Sequence, residues 1–104
     1  SPLRDVYKRQ HILSLIQVER MFRGVGRLLP VGAPFALYGP FSENGRHISR
    51  SNAEFDRMLR QRDPFSGVRD LEDIRRFADS AGLELEQNLA MPVNNRTLIW
   101  RKCR

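Results

Sequence analysis

Few residues in this 104-residue sequence have a type and spacing that could do chemistry. It contains two histidines, His11 and His47, and one cysteine, Cys103. Neither histidine stands beside paired carboxylates at metal-ligand spacing, and a single cysteine can form neither an internal disulfide nor a multi-cysteine zinc site. We therefore expect no bound metal, a solvated His47 and Cys103, and a reducing compartment, which we interpret as cytoplasmic.

A Gly-rich turn between a strand and a helix would be a second kind of site, because its backbone N–H groups can hold phosphates. Gly24-Val25-Gly26 is the nearest match, but the residues around it repeat with a helical period. It therefore lies late in a helix, and the sequence predicts no phosphate cradle.

The positive charge lies mainly at the two ends of the sequence. The first ten residues carry +2 and the last four carry +3 of a net charge of +6. Nucleic-acid-binding proteins usually concentrate basic residues on one face and add aromatic stacking groups, and no such pattern is visible. We interpret the charge as terminal and solvated and expect no nucleic-acid partner, although a small nucleic-acid-binding protein stays open as an alternative. Sixteen of the 18 basic residues are arginine, which suggests a GC-rich, bacterial coding sequence.

Length and composition fit one globular domain. Hydrophobic residues make up 40% of the chain and charged residues 29%, a balance typical of a folded protein. The longest charge-poor stretch, residues 28–41, is 14 residues long and contains five Pro or Gly residues. It is too short and too interrupted for a membrane span, so we expect no membrane partner.

The elements that would position a site follow from the hydrophobic pattern. Apolar residues recur every three or four positions over residues 13–29, which predicts an amphipathic helix that Pro30 and Gly32 end. The unbroken apolar run over residues 35–38 predicts a short strand buried on both faces. The first half of the chain is therefore predicted to contain a helix followed directly by a strand.

The middle of the chain is predicted to contain a loop and a helix. Residues 41–48 are polar, with a strong turn signal at Asn44-Gly45. Ser51 and Glu54 have the spacing of a capping box, which predicts a helix from there to about Gln61. Its apolar face is predicted to consist of Phe55, Met58 and Leu59.

The last third is predicted to contain one helix and two strands. Asp70 can cap a helix that runs to Ala81, with Gly82 at its C-terminal end. The alternation over residues 83–86 predicts a strand with one wet face, residues 91–95 a connection, and residues 97–100 a final antiparallel strand. The predicted order is helix, strand, helix, helix, strand, strand.

Several short strings occur in an order that matches a known family. Residues 28–32 lead into the buried strand, and Ala81-Gly82-Leu83 closes the last helix before the terminal strand pair. This arrangement resembles the C-terminal half of a class I S-adenosylmethionine-dependent methyltransferase. Further strings are similar to one little-characterised family of methyltransferase-like proteins, a domain of unknown function found in bacteria and animals. These strings are Tyr38-Gly39-Pro40-Phe41, Asn44-Gly45-Arg46, Ser51-Asn52, Phe55-Asp56, Arg62-Asp63-Pro64, Gly67-Val68-Arg69-Asp70, Met91-Pro92 and Asn94-Asn95.

The resemblance implies an α/β fold, the C-terminal half of a Rossmann-like class I methyltransferase sheet. Residues 11–104 would supply strands five, six and seven with flanking helices, and the seventh would lie antiparallel between the other two. The fifth strand would then have an open, apolar edge, so we expect self-association through it. Residues 1–10 resemble instead an adapter-derived translation that recurs at the ends of sequences from metagenomic reads, and we expect a non-native tail there.

The resemblance also implies a cofactor. Methyl-donor binding in this superfamily relies on a Gly-rich turn after the first strand and an acidic residue after the second, and neither is in these 104 residues. We therefore expect S-adenosylmethionine to bind the full-length parent and not this chain, which would be a fragment that is inactive alone. The parent would methylate a small-molecule acceptor. The alternative is a non-enzymatic binding or interaction protein with a methyltransferase-like fold.

By the same resemblance, His11 falls just after the fourth strand, where an imidazole could accept a proton or orient a substrate. The alternative is a helix-entry residue that bonds to local backbone. Tyr38 ends the fifth strand and either packs or contributes to a substrate pocket. The other polar residues of the matched strings could line an acceptor site for a polar or anionic small molecule, or form turns and ion pairs. They are Asn44, Arg46, Asn52, Asp56, Arg69, Asn94 and Asn95.

Overall fold

The computed structural model describes residues 10–104. Within this range the chain forms three α-helices and two three-stranded sheets. In chain order the elements are α1 (Leu15–Leu28), β1 (Pro34–Gly39), β2 (Phe41–Glu43), β3 (Arg46–His47), α2 (Arg50–Arg62), β4 (Arg69–Asp70), α3 (Leu71–Ser80), β5 (Leu83–Met91), a 3-10 turn (Pro92–Asn94) and β6 (Asn95–Lys102). None of these helices is long and apolar enough to cross a membrane.

The larger sheet has the strand order β1-β6-β5, and β6 is antiparallel to both neighbours. In the β1–β6 pair, Phe35 lies opposite Trp100 and Leu37 lies opposite Leu98. This is the predicted arrangement, in which strand seven lies between strands five and six. Within the described part of the chain β1 pairs with a strand on one side only, and its other edge has no strand partner.

Helices α1 and α3 build the core against this sheet. Phe22 of α1 meets the Trp100 ring edge to face, with ring centroids 5.6 Å apart, and Ile74 of α3 is fully buried in the same cluster. Ser14 and Asp70 cap the two helices by accepting hydrogen bonds from backbone N–H groups of the first turn. The predicted amphipathic helix and the predicted cap at Asp70 are therefore confirmed.

The prediction that β1 is buried on both faces is wrong. Phe35 and Leu37 are buried in the core, whereas Ala36 and Tyr38 alternate to the other face and are half-buried. The core cluster covers one side of the strand, so the apolar run overstates how much of β1 is buried.

The residues predicted as a polar loop belong partly to the second sheet, whose order is β3-β2-β4. Strands β2 and β3 form a hairpin around the predicted turn, where Asn44 and Gly45 have φ of 51° and 78°. The Asp70 carboxylate accepts hydrogen bonds from the Ser42 hydroxyl at 2.9 Å and from the Gly45 backbone N at 2.6 Å. These contacts between distant residues hold the hairpin against the start of α3, and local pattern could not indicate them.

Helix α2 begins earlier than predicted. Ser49 is its N-cap, and the Ser49 hydroxyl accepts a hydrogen bond from the Asn52 backbone N at 3.1 Å. Glu54 pairs with Arg50 rather than completing a capping box with Ser51. The predicted box is wrong because two serines stand at suitable positions, and their spacing alone does not decide which one caps the helix.

Two side chains differ in burial from the sequence-based prediction. Met58, predicted on the apolar face of α2, is 41% exposed. Lys102, predicted to be solvated with the other terminal charges, is buried. Strand β6 extends through Lys102, so strand alternation puts its side chain on the same face as Leu98 and Trp100.

The last two strands are longer than predicted. Strand β5 continues to Met91, and its outer part from Glu86 onward is exposed apart from the pairing with β6. A bulge between Leu85 and Gln87 shifts the register within this pair. Asn95 begins β6 instead of belonging to the connection.

Two glycines of α1 offer a matched test of the helix packing. A Cβ on Gly26 would lie 2.6 Å from the carbonyl oxygen of Ala81, whereas a Cβ on Gly24 would meet nothing within 4 Å. We expect Gly24→Ala to raise the free energy of unfolding by about 1 kcal/mol through helix propensity. We expect Gly26→Ala to lower it by about 1–3 kcal/mol through overpacking at the end of α3. Urea denaturation measures both, and changes of the same sign would contradict this packing.

Candidate functional site

A cleft of about 400 Å³ lies at the carboxyl end of β1, and we name it the β1-end pocket. Its wall comes from the segment before α1, the end of β1, the first turns of α2 and the corner between β5 and β6. The lining residues are His11, Tyr38, Gly39, Pro40, Ser51, Asn52, Phe55, Val93 and Asn95.

Four of the residues singled out from the sequence meet in this pocket, although they are far apart in the chain: His11, Tyr38, Asn52 and Asn95. Nδ2 of Asn95 donates a hydrogen bond to the Tyr38 hydroxyl oxygen at 3.1 Å. Nδ2 of Asn52 donates to the backbone oxygen of Asn94 at 3.1 Å. These two bonds connect α2 and β1 to the β5–β6 corner.

The chain that enters the pocket before α1 lies directly against the end of β1. Nε2 of Gln10 donates to the backbone oxygen of Tyr38 at 3.1 Å. A Cβ on Gly39, whose φ is 156°, would lie 2.6 Å from that nitrogen. Glycine is therefore needed at this position so that the entering segment can bring His11 to the pocket.

The β5–β6 corner has a strained backbone. Val93 has φ of 62° and ψ of 36°, and Asn94 has φ of 60°. Asparagine tolerates the left-handed region, as predicted for Asn94, but a β-branched residue there is an outlier that costs about 1–3 kcal/mol. The hydrogen bond from Asn52 to Asn94 holds this corner in place. The Val93 side chain, 79% exposed, lines the pocket from the corner.

The His11 imidazole is half-buried in the wall of the pocket. Its ring packs against the Phe55 ring with centroids 5.5 Å apart, and its buried Nδ1 has no hydrogen-bond partner in residues 10–104. Burial lowers the pKa of His11 below its usual 6.5, and the positive charge of Arg69 lowers it further. The imidazole is therefore neutral at neutral pH. The backbone carbonyl oxygen of His11 accepts a hydrogen bond from the Gly67 N at 2.8 Å, which joins two segments that are distant in the sequence.

Arg69, a predicted substrate-binding candidate, lies outside the β1-end pocket and holds backbone segments together. Its Nη2 donates to the carbonyl oxygens of Leu13 and Phe65, both at 2.8 Å. Its Nε donates to the carbonyl oxygen of Gln10 at 3.4 Å. The buried guanidinium thus ties the segment before α1 to the turn before β4.

Asp56 lies with Arg69 in a second, polar cleft of about 390 Å³. Its carboxylate accepts hydrogen bonds from Nε of Arg60 at 3.0 and 3.1 Å and from the Val68 backbone N at 2.8 Å. Nε2 of His47 lies 3.4 Å from the same carboxylate, and the His47 ring is half-buried. The prediction of a solvated His47 is therefore wrong, because the β2–β3 hairpin folds this residue onto α2.

The remaining candidates lie away from the pocket. Asn44 and Arg46 are exposed on the β2–β3 hairpin. Cys103 is a free, exposed thiol, as predicted, and its Sγ lies 3.2 Å from the carbonyl oxygen of Gly82. No group of three or more His, Cys, Asp or Glu residues in the described range could hold a metal ion.

Sequence reasoning missed five of the nine lining residues: Gly39, Pro40, Ser51, Phe55 and Val93. Ser51 was assigned as a helix cap and Phe55 to the apolar face of its helix, and Val93 has no feature that marks it. The burial of Gln10 is also unexpected, because it falls within the segment predicted to be a non-native tail. The other residues of that segment, 1–9, lie outside the described residues.

The described residues contain no Gly-rich turn that leads from a strand into a helix. Gly24-Val25-Gly26 lies inside α1, as its surroundings predict. The two strand-to-helix connections in residues 10–104, from β3 to α2 and from β4 to α3, contain no glycine. A donor cradle needs a Gly-rich turn that leads from a strand into a helix.

The fold is that of methyltransferases. Human N-acetylserotonin methyltransferase in complex with SAM matches with a TM-score of 0.78 and 13% sequence identity, over 95% of this chain and 29% of that chain. An O-methyltransferase family 2 protein from Planctomyces limnophilus DSM 3776, in complex with apigenin, matches with a TM-score of 0.77 and 15% identity, over 89% of this chain and 28% of that one. The chain thus has the fold of the C-terminal part of a class I methyltransferase and spans less than a third of these proteins.

A match to a family model assigns the chain to a smaller group of proteins than the fold does. Residues 7–102 match the family described as Protein of unknown function (DUF938). The chain belongs to this family, which confirms the resemblance to a methyltransferase-like domain of unknown function.

The lowered pKa of His11 predicts how stability depends on pH. Between the folded pKa and the unfolded value of 6.5, the unfolded chain binds more protons, so His11 contributes a stability that rises with pH. We expect this contribution to be lost as pH falls below about 6.5. In urea denaturation across this pH range, the free energy of unfolding should fall less with decreasing pH for His11→Asn than for the unchanged protein. A difference between the two proteins that does not vary with pH would contradict the assignment.

Proposed function

We propose that this chain is the acceptor-side part of an S-adenosylmethionine-dependent methyltransferase whose donor-binding part lies outside these 104 residues. On this proposal the chain alone is inactive, and methyl donor and small-molecule acceptor meet at the β1-end pocket only in the full-length protein. A cytoplasmic location belongs to the proposal, because a single free cysteine suits a reducing compartment.

The observation that carries the proposal is the position of the β1-end pocket. It lies at the carboxyl end of a sheet strand, where open α/β sheets bind their ligands, and a neutral imidazole stands in its wall. Among structures similar to this chain, one is in complex with SAM and another with apigenin. These complexes support this donor and a small-molecule acceptor for the full-length protein.

His11 has the central role on the acceptor side. A hydroxyl or amine bound in the pocket would donate a hydrogen bond to the His11 imidazole and would lose its proton there. Tyr38 and Asn95, which bond to each other, would orient the acceptor beside the imidazole. Asn52 would keep the β5–β6 corner in place through its bond to Asn94.

Calorimetric titration of S-adenosylmethionine into two proteins tests this function. One protein is this chain, and the other is an extended version that keeps Gln10 and carries in front of it the upstream sequence of the full-length protein. We expect only the extended version to bind. Binding by the short chain would overturn the proposal, and binding by neither would favour the alternative of a non-enzymatic interaction protein.

The acceptor side is tested in the extended version by a methyl-transfer assay. His11→Asn should reduce kcat by about 10²–10⁴-fold, the usual contribution of a general base, without abolishing donor binding. Arg46→Asn on the exposed hairpin is the control and should leave kcat unchanged. Equal rates for His11→Asn and the unchanged protein would remove His11 from the mechanism.

The edge of β1 without a strand partner motivates a proposal about assembly. We propose that the short chain associates with itself through this edge, because unpaired backbone N–H and C=O groups of an edge strand can pair with another copy. Analytical ultracentrifugation of the same two proteins should show concentration-dependent association of the short chain and not of the extended one. A short chain that stays monomeric would contradict this proposal.

A further inference from the structure

The β1-end pocket has a wall without formal charge. None of its lining residues is Lys, Arg, Asp or Glu, and the pKa of His11 is lowered, so this side chain is neutral. An anion transferred into such a wall would lose its hydration without gaining an ion pair, because the guanidinium of Arg69 lies outside the lining and bonds to backbone carbonyl oxygens. The wall therefore disfavours carboxylates and phosphates.

The wall offers two amide oxygens as hydrogen-bond acceptors. The Nδ2 group of Asn52 is used by the Asn94 carbonyl, and the Nδ2 group of Asn95 is used by the Tyr38 hydroxyl and, at 3.3 Å, by the Pro92 carbonyl. The amide oxygens of both asparagines remain for a ligand. These two oxygens favour a ligand that donates hydrogen bonds.

The rest of the wall is apolar. The rings of Tyr38 and Phe55 and the ring of Pro40 line the pocket, and Val93 adds a branched aliphatic group from the strained corner. An exposed valine held in a left-handed conformation is unfavourable on its own. Contact with a bound ligand would give this side chain a partner that the free protein lacks.

We propose that the β1-end pocket binds an uncharged, flat ligand that has an apolar face and a hydrogen-bond-donating hydroxyl or amine, with Val93 covering the apolar face. The identification of this ligand as the methyl acceptor rests on the proposed function, whereas the binding of such a ligand does not depend on it. The sequence analysis allowed a polar or anionic acceptor, and this proposal restricts the acceptor to an uncharged molecule.

Two probes with the same ring system test the charge preference. Fluorescence titrations of 2-naphthol and 2-naphthoate into the full chain at neutral pH should show 2-naphthol binding at least about tenfold more tightly, because only the carboxylate must be desolvated as an anion. Equal affinities, tighter binding of 2-naphthoate, or no binding of 2-naphthol would overturn the proposal.

A matched pair of variants tests the role of Val93. In Val93→Asn the new residue tolerates the left-handed backbone, so the corner keeps its shape while the apolar contact is lost. We expect 2-naphthol to bind about fivefold more weakly to this variant. Val31→Asn replaces a valine that is also largely exposed but lies outside the pocket, and it should bind 2-naphthol as the unchanged chain does. Unchanged affinity in Val93→Asn would overturn the role of Val93.

Failure of this inference and failure of the proposed function have different signatures. If 2-naphthol binds as expected while the extended version transfers no methyl group, the ligand preference stands and the enzymatic function fails. If the extended version transfers methyl groups while 2-naphthoate binds more tightly than 2-naphthol, the enzymatic function stands and the ligand preference fails.

Discussion

Replacement of Arg69 with methionine is expected to lower the free energy of unfolding by about 2–4 kcal/mol. The buried guanidinium donates to the carbonyl oxygens of Gln10, Leu13 and Phe65, and a methionine side chain leaves all three without this donor. The segment before α1 then loses its attachment to the turn before β4. Urea denaturation measures the loss, and 2-naphthol affinity should fall with it because His11 belongs to that segment.

The same replacement should also change the titration of His11. Arg69 lowers the pKa of His11 by its positive charge, so removal of that charge moves the pKa back towards its usual value. An NMR titration of the imidazole would record this shift. A matched control is Arg75→Met, which removes an exposed arginine paired with Glu72 at 3.2 Å and should cost less than about 0.5 kcal/mol. Equal destabilisation by the two variants would contradict the role of Arg69 in attaching the segment before α1 to the turn before β4.

Trp100→Ala is expected to have the largest effect on the fold, a loss of about 3–5 kcal/mol in the free energy of unfolding. The indole is 1% exposed and packs against the rings of Phe22 and Phe35, with centroids 5.6 and 6.3 Å away. Because Trp100 lies on the central strand of the sheet, removal of its indole leaves a cavity that the neighbouring elements cannot fill. Unfolding in urea is followed by far-UV circular dichroism, because Trp100 is the only tryptophan in the sequence and its replacement removes the tryptophan fluorescence signal.

The control for this variant is Leu89→Ala on the exposed part of β5, where the side chain is 43% exposed. It should cost less than about 1 kcal/mol, since little apolar area is removed from contact. A comparable loss in the two variants would mean that the cluster around Trp100 is not the core of this chain.

The elements that were predicted correctly depend on local pattern. The helical period and the cap at Asp70 involve residues within one or two turns of each other, so α1 and α3 were predictable. The choice between Ser49 and Ser51 as the cap of α2, and the burial of only one face of β1, depend on which surfaces meet in the folded chain. These two errors therefore have the same origin, tertiary context that overrides local preference.

The pocket was predictable in its polar residues and not in its shape. Tyr38, Asn52 and Asn95 were candidates because of their place in the matched strings, and His11 because the resemblance put it just after the fourth strand. The fold brings these four residues together. The strained backbone of Val93 depends on how a 3-10 turn joins β5 to β6, and no residue type in that corner signals it. The structural role of Arg69 was also not predictable, because every residue has a carbonyl oxygen and residue types do not indicate which of them a side chain binds.

The central position of β6 also determines the order in which the sheet can assemble. β6 is the last strand in chain order, yet both other strands of the larger sheet pair with it, and Pro34 finds its partner only at Arg101. The β5–β6 hairpin closes a short loop and can form early, whereas β1 must wait for a contact across most of the chain. During synthesis, β1 therefore has no strand partner within residues 10–104 until β6 has been made, and for that interval its unpaired strand is a surface that a chaperone would bind.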